Sequence, residues 1–96
     1  MTDDTEFESI RNHHEQPVLS AVAEMASDYP LLGGPLLADV ACVALNRLPP
    51  RYIRHPVDLA FYLTERERED TQRHVREAVE FAFQFVQARV AMRARG

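Results

Sequence analysis

The last third of the chain carries a helical pattern with more apolar surface than a small domain can cover. Thr64-Glu65-Arg66-Glu67 matches a capping box, in which Thr64 and Glu67 satisfy backbone N–H groups at a helix start. The pattern predicts one helix from there to about Ala94, roughly 30 residues and about 45 Å long. At about 100° per residue, its apolar residues form two adjacent stripes. The first stripe contains Val75, Val79, Ala82, Phe83, Val86 and Val90, and the second contains Phe81, Phe85, Ala88 and Met92.

The second stripe favours a partner surface, because an ordinary surface helix has one apolar stripe somewhat over 100° wide. The 96 residues fit one domain, which we predict over residues 6–96 after a disordered tail at 1–5. A core this small usually needs disulfides, a metal or oligomerisation. One cysteine provides neither a disulfide nor a zinc cage. We therefore expect a homodimer; the alternative is that the chain's own segments cover both stripes.

Composition indicates the compartment. A single cysteine suits a reducing environment, and the acidic N-terminus lacks the apolar run of a signal peptide. No segment approaches the roughly 18 apolar residues of a membrane span. We expect a cytoplasmic protein that makes no membrane contact. The net charge of −4 argues against general nucleic-acid binding.

The first two thirds of the chain predict two further helices. One runs over about 6–26, with Pro17 inside it either as a kink or at the first turn of a second helix. The apolar spacing continues past Pro17, which favours the kink. The other runs from Pro35 to Leu45 and is apolar on nearly all sides, as in a buried helix. Asn46 is placed to adopt a left-handed cap.

Two prolines, Pro49 and Pro50, end that helix and hold the next residues extended. The segment 58–63, DLAFYL, is either a strand or a helical turn. The fold class is therefore mainly α: a small helical domain with a long C-terminal helix and, after LPPRY, room for one short extended segment.

The most specific motif lies at the centre, Asp39-Val-Ala-Cys-Val-Ala-Leu-Asn46-Arg-Leu-Pro-Pro-Arg-Tyr52, and Asn12-His-His-Glu15-Gln-Pro-Val18 precedes it. These motifs resemble the D-I-x-A-L-A-L-N-x-L-P-P-R-Y and N-x-x-E-x-x-V elements of the ComFB family, over roughly residues 8–55. The resemblance implies a bacterial helical dimer with a regulatory role linked to competence and no enzymatic activity. Some ComFB-like proteins are receptors for cyclic dinucleotides, cyclic di-GMP among them.

Many members of that family carry cysteines just before the D-I element, and some of these hold zinc. The corresponding segment here, YPLLGGPLLA at 29–38, contains no cysteine and no histidine. We therefore expect no structural metal and no cofactor.

The residues around the two prolines are the candidate ligand contacts for a cyclic dinucleotide. Arginine binds phosphate bidentately and stacks on flat rings, and tyrosine can stack as well. The set is Arg47, Arg51, Tyr52, Arg54 and His55. The alternative is structural: Arg51 pairs with Asp39 or Glu15, and Tyr52 packs in the core.

Structural roles are expected for the motif residues Asn12, Glu15, Asp39, Asn46, Pro49 and Pro50. A charge within an apolar helix needs a partner. For Asp39 the candidates are Asn12, Arg51 or a backbone N–H near the prolines. Asn12 and Glu15 share a helix face at this spacing, and Asn12 could bind free carbonyls of a neighbouring helix end.

The sequence gives little support for a catalytic function. His13 and His14 point to different faces of a helix and fit no H-E-x-x-H pattern, so we expect them on the surface or at a ligand rim. Cys42 fits an inert core residue. A hydrolase that pairs a histidine with Glu15 is the least favoured hypothesis.

The prediction is a non-enzymatic regulatory protein that binds cyclic di-GMP or cyclic di-AMP and signals to an unknown protein partner. The alternative is a helical adaptor with no small ligand.

Overall fold

The computed structural model describes residues 4–55, 57 and 63–95. In chain order the elements are α1 Asp4–Glu8, β1 Arg11–Asn12, α2 Glu15–Met25, α3 Pro35–Arg47, β2 Tyr52–Ile53 and α4 Glu65–Arg95. A single 3-10 turn at Ala26–Asp28 continues α2. The strands pair antiparallel, with Arg11 opposite Ile53 and Asn12 opposite Tyr52. The predicted mainly helical fold with a long C-terminal helix is confirmed.

The core lies where α4 packs against α2 and α3. The buried side of α4 is the predicted first stripe, with Val90 at its half-buried end. Its deepest member is Phe83, which is 0 % exposed and stacks on Tyr29 with ring centroids 4.4 Å apart. Facing it are Val18, Val22, Val40, Ala41, Ala44 and Leu48.

The capping box at the start of α4 is confirmed. The backbone N–H of Thr64 donates to Glu67 Oε2 at 3.0 Å, and the backbone N–H of Glu67 donates to Thr64 Oγ1 at 3.1 Å. Each bond satisfies a donor that a helix start would otherwise leave free. Residue 63 immediately precedes this box, whereas residues 58–62 of the ambiguous DLAFYL segment lie outside the described part of the chain.

The predicted kink at Pro17 is wrong. Pro17 is the third residue of α2, in its first turn, where the missing N–H would have no helical partner anyway. The residues before α2 leave the helical path and form β1, which separates α2 from α1. The predicted tail at 1–5 overlaps α1 at its last two residues, and residues 1–3 lie outside the described part.

The predicted left-handed cap at Asn46 is also wrong. Asn46 stays inside α3, and no described residue other than Gly34 has a positive φ. The helix ends instead at Leu48, whose backbone is extended at ψ 137°. A residue before proline is pushed out of the helical region. Pro49 therefore ends α3 without any left-handed residue.

The second stripe of α4 lies on the surface. Phe81 is 39 % exposed, Phe85 is 41 % exposed and Met92 is 71 % exposed. These residues are neighbours along one side of the helix, because they are separated by four and seven positions. The apolar surplus inferred from the sequence is therefore present in the single chain. None of the described helices combines the length and apolar character needed to cross a membrane.

Replacing Phe83 by alanine should destabilise the chain by about 3–5 kcal/mol, because a fully buried ring leaves a cavity. Urea unfolding followed by circular dichroism measures this loss. The matched control is Phe7→Ala, since Phe7 is exposed on α1; its cost should stay below about 1 kcal/mol. Equal losses in the two variants would contradict the described core.

Candidate functional site

Asn12 joins the N-terminal segment to the turn formed by Pro49, Pro50 and Arg51, called here the PPR turn. Its side-chain Oδ1 accepts from the backbone N–H of His14 at 3.2 Å and from that of Arg51 at 3.1 Å. In addition, the backbone N–H of His13 donates to the Arg51 carbonyl at 2.6 Å. Two chain segments thus share one acceptor, which fixes the PPR turn beside the start of α2.

This geometry corrects the prediction for Asn12 and Glu15. They do not share a helix face, because Asn12 lies in β1 and Glu15 is the exposed first residue of α2. Asn12 also binds N–H groups and not the free carbonyls that we expected. The reason is the short strand, whose end leaves the Arg51 N–H in need of an acceptor.

The prediction that Asp39 has a partner, with Asn12, Arg51 or a backbone N–H near the two prolines as candidates, is wrong. Asp39 is exposed and forms no ion pair among the described residues. Val40, Ala41 and Ala44 set the buried side of α3, and Asp39 lies on the other side. There it lines a cavity of about 360 Å³ with Arg89 and Arg93 of α4.

The prediction that Cys42 is an inert core residue is also wrong. It is exposed and not a core residue, because it lies three positions after Asp39 and therefore shares its face of α3. It lines the same cavity as Asp39.

The arginines near the PPR turn are free of acidic partners. Among the described residues, neither Arg47 nor Arg51 forms an ion pair, so the structural alternative that joins Arg51 to Asp39 or Glu15 is wrong. Arg47 instead stacks on Phe81, with its Cζ 3.7 Å from the ring centroid. Both side chains are exposed and keep their charge available to a ligand.

Two adjoining cavities lie beneath the PPR turn. The turn cavity, about 260 Å³, is lined by His14, Leu48, Pro49, Pro50, Arg51, Thr71 and His74. The Arg47 cavity, about 350 Å³, is lined by Arg47, Leu48, Pro49, His74, Glu77, Ala78 and Phe81. Leu48, Pro49 and His74 belong to both. The structure thus brings two of the five predicted ligand contacts, Arg47 and Arg51, to one pair of cavities.

The other three predicted contacts, Tyr52, Arg54 and His55, line neither cavity. Side chains alternate along a strand, so Tyr52 points away from the side that Arg51 occupies. Tyr52 is 67 % exposed, which also rules out the core position considered for it. Arg54 donates from Nε to Ser9 Oγ at 3.1 Å, and His55 is exposed.

Sequence reasoning missed His14 and His74 as cavity residues. His14 was expected at the surface or a ligand rim, but it is only 7 % exposed, and its Nδ1 has no hydrogen-bond partner. His74 lies on α4 one residue before Val75, the first residue of the buried stripe, and this adjacency is the one sequence signal for its position.

The environment of His14 disfavours its charged form. Burial lowers the pKa of His14, hydrogen bonding to the Pro49 carbonyl raises it, and the positive charge of Arg51 lowers it. The pKa of His13 is lowered in the same way, first by burial, then by the charges of His14 and Arg51. The Arg51 guanidinium thus lies beside an imidazole whose protonation is disfavoured.

A family model described as "Late competence development protein ComFB" matches residues 11–90. The chain belongs to the ComFB family. The match runs from β1 into α4 and includes Asn12, the PPR turn and every residue that lines the two cavities. No curated protein and no solved structure gives a significant match.

Family membership makes this chain a competence-related regulatory protein. ComFB is not a known enzyme family. The described residues of this ComFB chain bring together no group of three or more His, Cys, Asp or Glu side chains that could hold a metal ion.

Replacing Asn12 by alanine should cost about 1–3 kcal/mol, because two backbone N–H groups lose their shared acceptor. Urea unfolding measures the loss. Asn12→Asp is the control: it keeps an oxygen at the same place and should retain most of the stability. If alanine and aspartate cost the same, the hydrogen bonds to Oδ1 do not hold the PPR turn.

Proposed function

We propose that this ComFB protein is a non-enzymatic regulatory receptor for a cyclic dinucleotide, cyclic di-GMP or cyclic di-AMP. The observation that carries the proposal is the pair of arginines, Arg47 and Arg51, that line adjoining cavities and have no acidic partner among the described residues. A cyclic dinucleotide presents two phosphates and two flat purines. Guanidinium groups bind phosphates by paired hydrogen bonds and stack on purines.

The size of the site supports a ligand of two linked nucleotides. Ligand sites usually enclose about 300–1,000 Å³; the turn cavity alone, about 260 Å³, lies below that range, and the Arg47 cavity, about 350 Å³, lies at its lower end. Because the cavities share Leu48, Pro49 and His74, one ligand can extend across both.

The charged residues that line the two cavities favour different parts of the ligand. The described residues that line the turn cavity include Arg51 and no carboxylate, so a phosphate fits there. The Arg47 cavity includes the Glu77 carboxylate, which repels phosphate, together with Arg47 stacked on Phe81. A purine fits this second cavity, because it can stack on the guanidinium plane.

Glu77 also favours guanine over adenine. Its carboxylate can accept hydrogen bonds from the N1–H and the amino group of guanine, whereas adenine offers no such pair of donors on that edge. The ion pair that Glu77 makes with Arg73 is long, 3.9 Å, and exposed, so it competes weakly. We therefore expect tighter binding of cyclic di-GMP than of cyclic di-AMP.

A homodimer is part of the proposal. The second stripe of α4 exposes Phe81, Phe85 and Met92, and contiguous apolar patches mark protein interaction sites. Phe81 belongs both to this stripe and to the Arg47 cavity. A ligand that fixes Arg47 and Phe81 would therefore act directly on the dimer surface.

The same stripe favours a second candidate, a helical adaptor with no small ligand. In that case the stripe, with Arg89 positioned 5.8 Å from the Phe85 ring centroid, binds another protein. The two candidates differ in whether the arginines at the cavities have a nucleotide to bind.

Calorimetry of the purified protein against both cyclic dinucleotides separates the candidates. The receptor proposal predicts binding, with Arg51→Gln weakening it at least about tenfold, since about 1.4 kcal/mol corresponds to a factor of ten. Arg76→Gln removes the same charge from an exposed site that lines neither cavity and should bind as the parent does. Absence of heat up to high micromolar ligand would favour the adaptor.

Light scattering should give twice the 11.0 kDa mass of one chain. Phe85→Glu places a charge on the second stripe and should shift the protein towards the single chain. Leu19→Glu changes an exposed apolar residue of α2 and should leave the mass unchanged. A parent protein with the mass of one chain at all concentrations would contradict the proposed homodimer.

A further inference from the structure

The turn cavity contains a polar group that the protein itself does not satisfy. His14 is 7 % exposed, lines this cavity, and its Nδ1 has no hydrogen-bond partner. Buried side-chain nitrogens nearly always have a partner, and an exception calls for a reason. A ligand in the cavity provides one, because it would supply the missing partner to the imidazole.

The charges around the cavity select an anion. Among the described residues, its lining contains the Arg51 guanidinium and the imidazoles of His14 and His74, but no carboxylate. The Thr71 hydroxyl donates its proton to the Glu67 carbonyl at 2.8 Å, so it offers no donor to a ligand. The polar groups left for a ligand are therefore cationic or titratable.

The acidic residues on the adjacent part of α4 are engaged elsewhere. Glu67 accepts from the Thr64 N–H in the capping box, and Asp70 pairs with Arg73 at 3.2 Å. Glu77 lines the Arg47 cavity and not the turn cavity. An anion in the turn cavity thus meets Arg51 without a competing carboxylate from the described part of the chain.

We propose that the turn cavity is a phosphate-binding site in which Arg51, His14 and His74 hold one phosphate group, and that His14 takes up a proton as the phosphate binds. This inference deepens the proposed function, because the group would be one phosphate of the cyclic dinucleotide. The recognition chemistry is the same for dimethyl phosphate, a phosphodiester monoanion that, unlike inorganic phosphate, does not itself titrate near neutral pH.

The proton comes from solvent and is transferred to the imidazole, which then donates an N–H to a phosphate oxygen; no other bond changes. In the free protein the pKa of His14 is lowered by burial, raised in part by the hydrogen bond to the Pro49 carbonyl, and lowered again by the positive charge of Arg51. The negative charge of a bound phosphate offsets the positive charge of Arg51, so binding raises the pKa of His14. His13 and His74 are the other titratable groups beside it.

The sign of the pH dependence follows by linkage. Because the occupied site holds one more proton than the free site, affinity rises as pH falls, by at most about tenfold per pH unit for one proton. The rise continues as pH falls below about 6.5, the ordinary histidine value, because the pKa of His14 in the free protein is lowered from it.

The experiment titrates the full chain with dimethyl phosphate, and separately with cyclic di-GMP, by calorimetry in two non-phosphate buffers of different ionisation enthalpy. Side-chain NMR of the histidines follows the same titrations. Dimethyl phosphate should shift the ring signals of His14 and His74 and raise the pKa of His14. Arg51→Gln should weaken dimethyl phosphate binding at least about tenfold, and Arg76→Gln should not.

His14→Gln should bind dimethyl phosphate more weakly and without the rise at low pH. If that variant does not fold, Arg51→Gln and the NMR titration of the parent decide the question. Dimethyl phosphate binding with proton uptake supports the inference, even if cyclic di-GMP does not bind and the receptor proposal falls. Cyclic di-GMP binding without proton uptake, and with the His14 signals unchanged, overturns the inference and keeps the receptor. No binding of either ligand overturns both.

Discussion

The arrangement of the site depends on one side-chain oxygen, Oδ1 of Asn12. Pro49 and Pro50 have no N–H, so Arg51 provides the first backbone donor after Leu48, whose own N–H donates to the Leu45 carbonyl. Asn12 accepts from that donor and from the N–H of His14. A chain that reverses direction at two prolines is thereby attached to the segment that begins α2. The position of Arg51 above the turn cavity and the burial of His14 both follow from this attachment.

Helix α4 serves the core and the surface at the same time. One of its sides buries Val75, Val79 and Phe83 and provides most of the apolar contact available to so short a chain. The adjacent side keeps Phe81 and Phe85 at the surface. Since Phe81 also supports Arg47, the ligand site and the apolar surface meet at one residue. In the receptor hypothesis this continuity gives a physical route from ligand to partner.

Sequence reasoning succeeded where the determining interactions are local. The capping box needs residues three positions apart, and the buried stripe of α4 repeats every three to four residues, so both could be predicted. It failed at Asp39 and Cys42, because a helix that is apolar on nearly all sides does not reveal which side the core covers. It also placed Pro17 wrongly: apolar spacing continues across β1, and a strand of two residues is too short to produce a period of its own.

The candidate site was predicted only in part for a similar reason. The motif drew attention to the PPR turn and its arginines, and two of them do line the cavities. The hydrogen bond between Asn12 and Arg51 spans 39 positions, and His74 joins the site from α4. Contacts at such separation depend on how helices pack, and no spacing in one sequence encodes them. The burial of His14 depends on contacts of the same kind, so the sequence did not predict it.

Hydrogen exchange of the backbone amides of His13, His14 and Arg51 tests most directly whether Asn12 holds the PPR turn. Arg51 is an exposed residue, so without the Asn12 acceptor its amide would exchange as in an unstructured chain. We predict slowed exchange at all three amides in the native protein, with similar protection factors because one cooperative opening releases them. Exchange of Arg51 and His14 at unprotected rates, while the α4 core amides stay protected, would contradict the account.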